Sequence, residues 1–504
     1  MAKICLCLTG KTLERDLELI DKYRKYIDLA ELRVDFLDPD ERFLIRRFPE
    51  QAGLPVILTI RRRIDGGHFD NGEGSRVSLL SRGLAFAETD PRRNFAYVDL
   101  EDDLDVPGLE EAVRTFGTRI IRSFHSLQGA ENVAGRLKGL RRAGDEIVKA
   151  AVTPRHLGDI LDIYRAAREC AGMEKIILCM GPAGTNTRIL AETMGCYLTY
   201  ASPEEEDAPA GSSGQLSPGE LVEQYRFRNI GAATKIYAVT GFPLKTTFSP
   251  RIFNTLFGHE KIDAVYVPFP ADNLDFFLEL TKELGIPGVS ITIPYKEAIV
   301  SRLCRIPDSI RNTGACNTIL AGGGGWEGTN TDTLGFSESL LNFTGKKHFR
   351  GLKITVLGAG GAARAAVSEI YRLKGQCLIL NRNSVRARDL AMPYGCKWGG
   401  LSSQSLDIME RYSDIIVQTT PVGTFPGIDE DPFELYHFKG HETVMDLIYN
   451  PERTAFLRRA EAAGCRILNG LDMLIRQAKY QYQFFFGRDF PDELIPRLTG
   501  ILKP

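Results

Sequence analysis

Residues 146–152 read Glu-Ile-Val-Lys-Ala-Ala-Val, a β-rich run with one lysine among aliphatic neighbours in sequence. A polar turn and an amphipathic stretch, Leu157–Ala171, follow it. The same rhythm recurs on both sides, and it predicts strands at Ile4–Leu8, Ala30–Val34, Val56–Ile60, Phe95–Leu100, Arg119–Phe124, Ile147–Ala151, Lys175–Met180 and Tyr197–Ala201. Helices are expected between most of them, at Leu13–Tyr26, Arg76–Glu88, Val133–Arg142 and Leu157–Ala171. Eight β units in about 220 residues have the size and count of a (β/α)8 TIM barrel. A doubly wound open sheet is the competing arrangement, and the near-equal spacing of the units favours closure.

The whole chain has 504 residues, enough for about three domains at ~150 residues each. Hydrophobic residues make up 43% and charged residues 25%, which excludes a largely disordered or collagen-like chain. Lys plus Arg number 63 against 65 Asp plus Glu, so the balance points away from nucleic acid and from a polybasic membrane anchor. Local basic pockets for small anionic substrates remain open to it. Ten cysteines run from Cys5 to Cys465 with no C-x-x-C pair, the usage of a reduced, intracellular protein. The start, MAKICLCLTGKTLERD, lacks the apolar core of a signal peptide, and no stretch approaches ~20 apolar residues. A cytoplasmic location is expected, with no membrane partner; oligomeric state is not set by the sequence.

Pro203–Gly219 (PEEEDAPAGSSGQLSPG) reads as the last loop of the barrel, because Glu220–Asn229 beyond it reads as helix. From Lys235 the pattern restarts, with strands at Ile236–Val239, Ala264–Val267 and Gly288–Ile293. A βαβ unit then opens at Leu352–Leu357, turns through Gly358–Gly361, continues as a helix to Leu373 and returns as a strand at Cys377–Leu380. The expected domains are 1–230, a barrel; 235–345, an α/β substrate domain completed by helices in 470–504; and 350–469, a Rossmann domain. Leu471–Phe486 is read as a helix packing back on the substrate domain.

Barrel chemistry sits at the C-terminal ends of strands. Glu31 and Arg33 alternate on strand 2, Arg61 follows strand 3, Glu101 follows Asp99 on strand 4, His125 ends strand 5 and Lys149 lies inside strand 6. A buried lysine is costly unless it neutralises or finds a partner, and desolvation lowers its pKa, which is how an amine becomes a nucleophile for a ketone. A strand lysine also fits an exposed edge or an ion pair, and Glu31 with Arg33 fits a buried ion pair. The coincidence of Lys, His, Glu and two Arg at successive strand ends is what favours chemistry.

Here the sequence resembles type I 3-dehydroquinate dehydratase across residues 1–230. The segments are ELRVDF (Glu31–Phe36), LTIRRRIDGG (Leu58–Gly67), VDLE (Val98–Glu101), IRSFHS (Ile121–Ser126), EIVKAAV (Glu146–Val152), MGPAGTNTR (Met180–Arg188) and SSGQ (Ser212–Gln215). The resemblance implies Lys149 as the Schiff-base lysine, His125 as general acid/base and Glu101 as the group that orients His125. It places Glu31, Arg33, Arg61, Arg188 and Gln215 at substrate-binding positions, arginine matching a carboxylate by its planar fork. It implies no metal. Gly211 stands where the family has a serine.

In the second half LGAGGAARA (Leu357–Ala365) gives G-x-G-x-x-A at Gly358, Gly360 and Ala363, between a strand and a helix, the context for a pyrophosphate at a helix N-terminus. The next strand ends in Asn381-Arg382-Asn383, where an arginine in place of an acidic residue suits a 2′-phosphate, so NADP(H) is expected. Lys296 and Asp332 beside tight turns are either a surface ion pair or a pair that stabilises alkoxide charge and passes a proton.

These segments resemble shikimate dehydrogenase over Lys235–Pro504. The match includes GFPLKTTFSP (Gly241–Pro250), GVSITIPYK (Gly288–Lys296), GACNT (Gly314–Thr318), GTNTDTLG (Gly328–Gly335), TTPVG (Thr419–Gly423), DLIYNPERT (Asp446–Thr454) and GLDMLIRQA (Gly470–Ala478). It implies Lys296 and Asp332 as the catalytic pair and Asn317, Thr247, Ser249, Thr292, Tyr449 and Gln477 as substrate contacts. On the cofactor side it implies Gly358, Ala359, Gly360, Gly361, Ala362, Asn381, Arg382, Asn383, Thr420 and Gly470. Thr247 stands where many members have serine, and Ser290 where the family has asparagine.

Together the two resemblances imply consecutive steps: dehydration of 3-dehydroquinate to 3-dehydroshikimate, then NADPH-dependent reduction to shikimate. A catabolic quinate/shikimate oxidoreductase with the same folds, and a sensor retaining both pockets without turnover, are the alternatives. Intact Lys149, His125, Lys296 and Asp332 weigh against the sensor.

Overall fold

The computed structural model describes residues 1–84, 91–204, 215–244 and 247–502. All eight expected strands of the first half form: β1 (Lys3–Leu8), β2 (Leu29–Arg33), β3 (Val56–Thr59), β4 (Tyr97–Glu101), β5 (Arg119–Ser126), β6 (Ile147–Val152), β7 (Lys175–Cys179) and β8 (Leu198–Ala201). Their order is β7-β6-β5-β4-β3-β2-β1-β8, with parallel ladders throughout. Between β7 and β8 the pairing shrinks to one bridge, Lys175 opposite Cys196, beside a Tyr197 N–H that donates to Lys175 O at 2.7 Å. The sheet is therefore a near-barrel whose last seam is a bridge instead of a ladder. Side chains two apart point the same way. Cys5, Leu29, Ile57, Tyr97, Ile121, Ile147, Ile176 and Leu198 accordingly form one buried interior cluster.

Helices cover the outside. The first, Leu13–Tyr23, starts where Thr12 Oγ1 accepts the Arg15 N–H at 3.2 Å, and it buries Leu19, Ile20 and Tyr23. The others span Glu73–Leu84, Val133–Leu140 and Leu157–Glu169, the last two ending before the expected boundary. Residues 85–88 of the expected Arg76–Glu88 helix and residues 205–214 of the Pro203–Gly219 loop lie outside the described residues. Glu220–Asn229 is not one helix. A π-helical turn, Glu220–Gln224, and a 3-10 turn, Phe227–Asn229, flank Arg226, whose φ of +54° breaks any continuous helix there.

The second sheet holds β9 (Lys235–Gly241), β10 (Ala264–Pro270), β11 (Gly288–Ile291), β12 (Leu303–Arg305), β13 (Thr318–Gly322) and β14 (Gly325–Thr329) in the order β10-β9-β11-β13-β14-β12. Its antiparallel β13–β14 hairpin was absent from the sequence reading, although the glycine run Gly322–Gly325 is a turn signal. The third sheet holds β15 (Lys353–Leu357), β16 (Gln376–Asn381), β17 (Lys397–Gly400), β18 (Ile415–Gln418), β19 (Thr443–Asp446) and β20 (Arg466–Leu468). Its order, β17-β16-β15-β18-β19-β20, all parallel, is that of a dinucleotide fold, with the strand order reversing between β15 and β18. Alternate residues feed its two faces: Ile354, Val356 and Ile379 one core, Leu357, Leu378 and Leu380 the other.

Contacts divide the chain into Met1–Ala238 with Phe257–Ile286, and Val239–Leu256 with Pro287–Pro504. Phe257–Ile286 groups with the barrel because its helix Leu274–Glu283 docks on the Leu157–Glu169 helix, through Arg165 to Glu279 and Arg168 to Glu283, both at 2.5 Å. Among the described residues no helix is long and apolar enough to cross a membrane, and no group of three His, Cys, Asp or Glu is arranged to hold a metal ion.

Candidate active sites

Toward the C-terminal ends of the barrel strands, a cavity of about 100 Å³ is lined by Lys149, His125, Glu31, Arg33, Arg61, Arg188 and Gln215. Seven of the eight residues singled out in the first half thus share one wall system, and Glu101 is the exception. Lys149 is 4% exposed. Its surroundings are polar. Nζ donates to Asp99 Oδ2 at 2.8 Å and to the Tyr200 hydroxyl at 2.9 Å, with Glu31 Oε1 at 3.6 Å. The aliphatic neighbours in sequence, Val148 and Ala150, sit on the opposite face of β6, as alternation requires.

Glu101 does not orient His125. Its Oε1 accepts from Arg61 Nη1 at 2.5 Å and its Oε2 from Arg76, so both oxygens are committed to guanidinium groups. His125 Nδ1 is buried with no hydrogen-bond partner among the described residues. Burial, then the charges of Arg61 and Lys149, push the His125 pKa well below the ordinary histidine value, so the ring is neutral at physiological pH and able to accept a proton.

The arginines separate by partner. Arg33 makes a bidentate pair with Asp35 at 2.9 and 2.7 Å, and Arg61 bridges Asp99 at 2.9 Å and Glu101. Arg188 has no carboxylate partner among the described residues. It donates from Nη1 to Tyr200 O at 3.3 Å, its Nε is unpartnered, and burial lowers its pKa. Gln215 Oε1 is a third buried polar atom without a partner among the described residues. Buried polar groups are normally satisfied, so three orphans on one small cavity mark a place for a polar ligand.

Sequence reasoning missed Asp99, Tyr200 and Asp65. Asp99 lies two residues before Glu101 on the same strand face, which was the available signal. Asp65 reaches the cavity from a 3-10 turn, Arg63–Asp65, ended by Gly66 at φ +80°.

The second site lies among residues 239–256 and 287–504. Lys296 Nζ pairs with Asp332 Oδ2 at 2.6 Å, and the partly buried setting separates the pair from an ordinary surface contact. Asn317 Nδ2 donates to Asp332 Oδ1 at 2.8 Å and to Thr331 Oγ1 at 3.0 Å, and lies 3.5 Å from Gln477 Oε1. Asp332 sits in the first turn of the Thr331–Thr344 helix, capped by Asn330. Gln477 arrives from the Leu471–Phe486 helix, which approaches closely because residue 335 is glycine. A Cβ there would lie 2.8 Å from Gln477 N. Tyr449 is hydrogen-bonded to Thr247, and burial raises its phenol pKa. Ser249 begins a helix and is buried. Thr292 N–H donates to Thr240 O at 2.9 Å, at the turn that leads to Lys296. Ser290 donates its hydroxyl to Gln481 Oε1 at 2.9 Å.

The glycine-rich turn abuts this pair, since a Cβ on Gly361 would meet Lys296 Cδ at 3.2 Å. Gly358 has φ +117°, and a Cβ there would lie 2.4 Å from Thr419 Oγ1 and 3.1 Å from Thr420 Cγ2, so only glycine fits. Gly360 is the N-cap of the Gly361–Arg372 helix and faces open space, with Ala359 and Ala362 beside it. Asn383 uses its side chain to cap the Ser384–Ala391 helix, and Asn381 donates to Asn383 O, whereas Arg382 is exposed and has no acidic partner among the described residues. Gly470 has a packing reason of its own, a Cβ there lying 2.1 Å from Leu447 O.

Comparison with known proteins agrees with this geometry. The family model "Type I 3-dehydroquinase" matches residues 4–232, and "Shikimate dehydrogenase substrate binding domain" matches residues 239–319. The chain is 29% identical over 491 residues to the chloroplastic bifunctional 3-dehydroquinate dehydratase/shikimate dehydrogenase of Arabidopsis thaliana, covering 93% of this chain and 79% of that one. It is 33% identical over 262 residues to the shikimate dehydrogenase (NADP(+)) of Shouchella clausii, covering 51% of this chain and 94% of the relative. A crystal structure of a shikimate dehydrogenase in complex with NADP+ shares 31% identity at a TM-score of 0.50, covering 55% of this chain and 98% of that one. The chain therefore belongs to the shikimate dehydrogenase family and carries, ahead of that module, a type I 3-dehydroquinase module.

Proposed function

We propose that the chain catalyses two consecutive steps, dehydration of 3-dehydroquinate at the barrel cavity and NADPH-dependent reduction of the resulting 3-dehydroshikimate at the second site. The domains that carry them are residues 1–230, residues 235–345 with 470–504, and residues 350–469. The observation that carries the reading is the pairing of a buried lysine with His125, Arg188 and Gln215 atoms that are unpartnered among the described residues on one cavity, together with a separate Lys296–Asp332 pair that touches a dinucleotide turn.

In the first step neutral His125 takes a proton from Lys149, the amine adds to the C3 ketone, and His125 returns the proton to the carbinolamine hydroxyl as it leaves as water. The resulting imine draws electrons from C2, and neutral His125 takes the C2 proton and returns one to the departing C1 hydroxyl. Arg188, free of protein carboxylates, receives the substrate carboxylate, while Arg33 and Arg61 hold Asp35, Asp99 and Glu101 in place. Water then hydrolyses the imine.

In the second step Asn317, Gln477 and Tyr449 hold the ring hydroxyls, and the Lys296–Asp332 pair delivers a proton to the carbonyl oxygen as it becomes an alcohol. The residues fit NADP(H): Gly358 leaves the space a Cβ would fill, Gly360 and Gly361 present backbone N–H groups, and Arg382 with Arg386 offer unpaired cations to a 2′-phosphate. When bound, the reduced nicotinamide supplies the hydride.

Supplying 3-dehydroquinate with and without NADPH, and following products, tests both steps. Borohydride should trap a covalent adduct at Lys149. Lys149→Ala should abolish dehydration and leave reduction of added 3-dehydroshikimate intact, and loss of both in a folded variant would overturn the reading. Comparing NADP with NAD, and shikimate with quinate, separates the biosynthetic from the catabolic assignment.

A further inference from the structure

At the other end of the barrel, where the strands begin, lies a cavity of about 870 Å³. Its wall includes Lys3 at the start of β1, Lys175 at the start of β7 and Tyr197 just before β8, none of which the proposed chemistry uses. Volumes of ~300–1,000 Å³ are those of organic-ligand sites, so the space exceeds what an isolated ion needs.

The charges on this wall are unevenly matched. Each acid already has a donor from the protein: Glu174 is held by Arg119 at 2.6 Å, Glu283 by Arg168 at 2.5 Å, and Glu192 accepts the Ala2 backbone N–H. Among the described residues neither lysine has an acid. Lys175 is 2% exposed, and its Nζ makes one long contact, 3.4 Å, to Gly195 O, with no carboxylate in reach among the described residues. Lys3 Nζ donates to the hydroxyls of Tyr197 at 2.7 Å and Tyr97 at 3.3 Å, again without a carboxylate. A secluded ammonium without a counter-charge is costly, and an anion entering the cavity would remove that cost. Tyr164, Met173 and Met194 supply apolar surface beside the two cations.

We propose that this cavity is a second ligand site, which takes a compact organic anion whose carboxylate or phosphate head pairs with Lys175 and Lys3 and whose body packs against Tyr197 and the two methionines. The site is distinct in place from the catalytic cavity and independent of the reaction assigned there.

The test is a 19F NMR titration of the full chain with 4-fluorobenzoate, 4-fluorophenyl phosphate and the neutral 4-fluorobenzamide. Wild-type protein should bind at least one anion tenfold or more tighter than the amide, and the stronger anion identifies the preferred head group. Lys175→Met and Lys3→Gln should each weaken that binding at least fivefold with amide binding unchanged, because anions captured at Arg188 or Arg382 would not respond to either substitution. Circular dichroism and the thermal midpoint establish that each variant is folded. If Lys175→Met does not fold, Lys3→Gln decides. Equal binding of anions and amide by the wild type, or wild-type anion affinity in the folded variants, would overturn the proposal.

Discussion

Asp99 answers two cations at once, with Oδ2 at 2.9 Å from Arg61 and 2.8 Å from Lys149, while Oδ1 accepts from Ser123 Oγ at 2.5 Å. Burial alone would raise its pKa, but the charges of Arg61 and Lys149 outweigh that and hold it well below the usual carboxylate range. A depressed folded-state pKa contributes stability above the unfolded value, about pH 4, and that contribution is lost as pH falls below it. Asp99→Asn should therefore cost the barrel about 3–5 kcal/mol at pH 7, because it removes the carboxylate nearest buried Lys149 and leaves Arg61 with Glu101 alone, and should flatten the fall in stability below pH 4. Urea denaturation at pH 7 and pH 3 measures both, and a variant as acid-sensitive as the wild type would contradict the assignment. Tyr200→Phe removes one of the Lys149 hydrogen bonds. At about 1.5–3 kcal/mol for a bond to a charged group, dehydration should slow by roughly 10–100-fold while ketone reduction is unchanged. Lys149, Arg61 and Glu101 were legible from strand-end placement, whereas Asp99 and Tyr200 were not. The pairing of Glu101 with Arg61 and Arg76, instead of His125, was not legible either, because these groups come from the turn after β3, from the Glu73–Leu84 helix and from β5, and chain order does not choose among them.

At the scale of elements, two glycines set the second site. Gly358→Ala would force a non-glycine residue into φ +117° with its Cβ against Thr419, at a backbone cost of about 1–3 kcal/mol before any effect on ligand. NADPH-dependent reduction should be lost or show a tenfold higher cofactor KM, and dehydration should survive. Both are read by steady-state assays of the two half-reactions. Gly335→Val would push the Leu471–Phe486 helix off the Thr331–Thr344 helix, since the added Cβ meets Gln477 backbone atoms at 2.8–3.0 Å. The expected result is a higher KM for 3-dehydroshikimate through displaced Gln477 and Asn317, and an unchanged KM would show that the two helices can separate harmlessly. Hydrophobic alternation revealed the barrel strands, and the Leu471–Phe486 helix was read to the residue. The β13–β14 hairpin stayed hidden because its strands are short and its glycine run carries no alternation of its own. The Glu220–Asn229 segment misled because its composition is helical while Arg226 takes a left-handed conformation that only its surroundings enforce.

At the scale of the whole molecule, each unit holds a buried acid whose pKa burial raises to about 7: Asp16 in the first, Asp446 in the second. A raised folded-state carboxyl pKa means that the native state holds a proton the unfolded chain releases, so stability falls as pH rises from about 4 through 7. Asp446→Asn keeps an acceptor for the Ile448 N–H, now 3.0 Å from Asp446 Oδ1, and should raise the thermal midpoint of the second unit at pH 8 with little change at pH 5. A midpoint lowered equally at both values would show that the ionised form is the stabilising one. The sequence by itself determined the run of modules, the strands of the barrel, the glycine turn and the chemical types at the strand ends, because these depend on local alternation and on backbone freedom. Only the tertiary structure decided which charge answers which. Lys149 and Asp99 lie 50 residues apart and Arg61 and Glu101 lie 40 apart, yet each pair meets within hydrogen-bond reach across the barrel, where spacing between strands, not separation along the chain, sets the interaction.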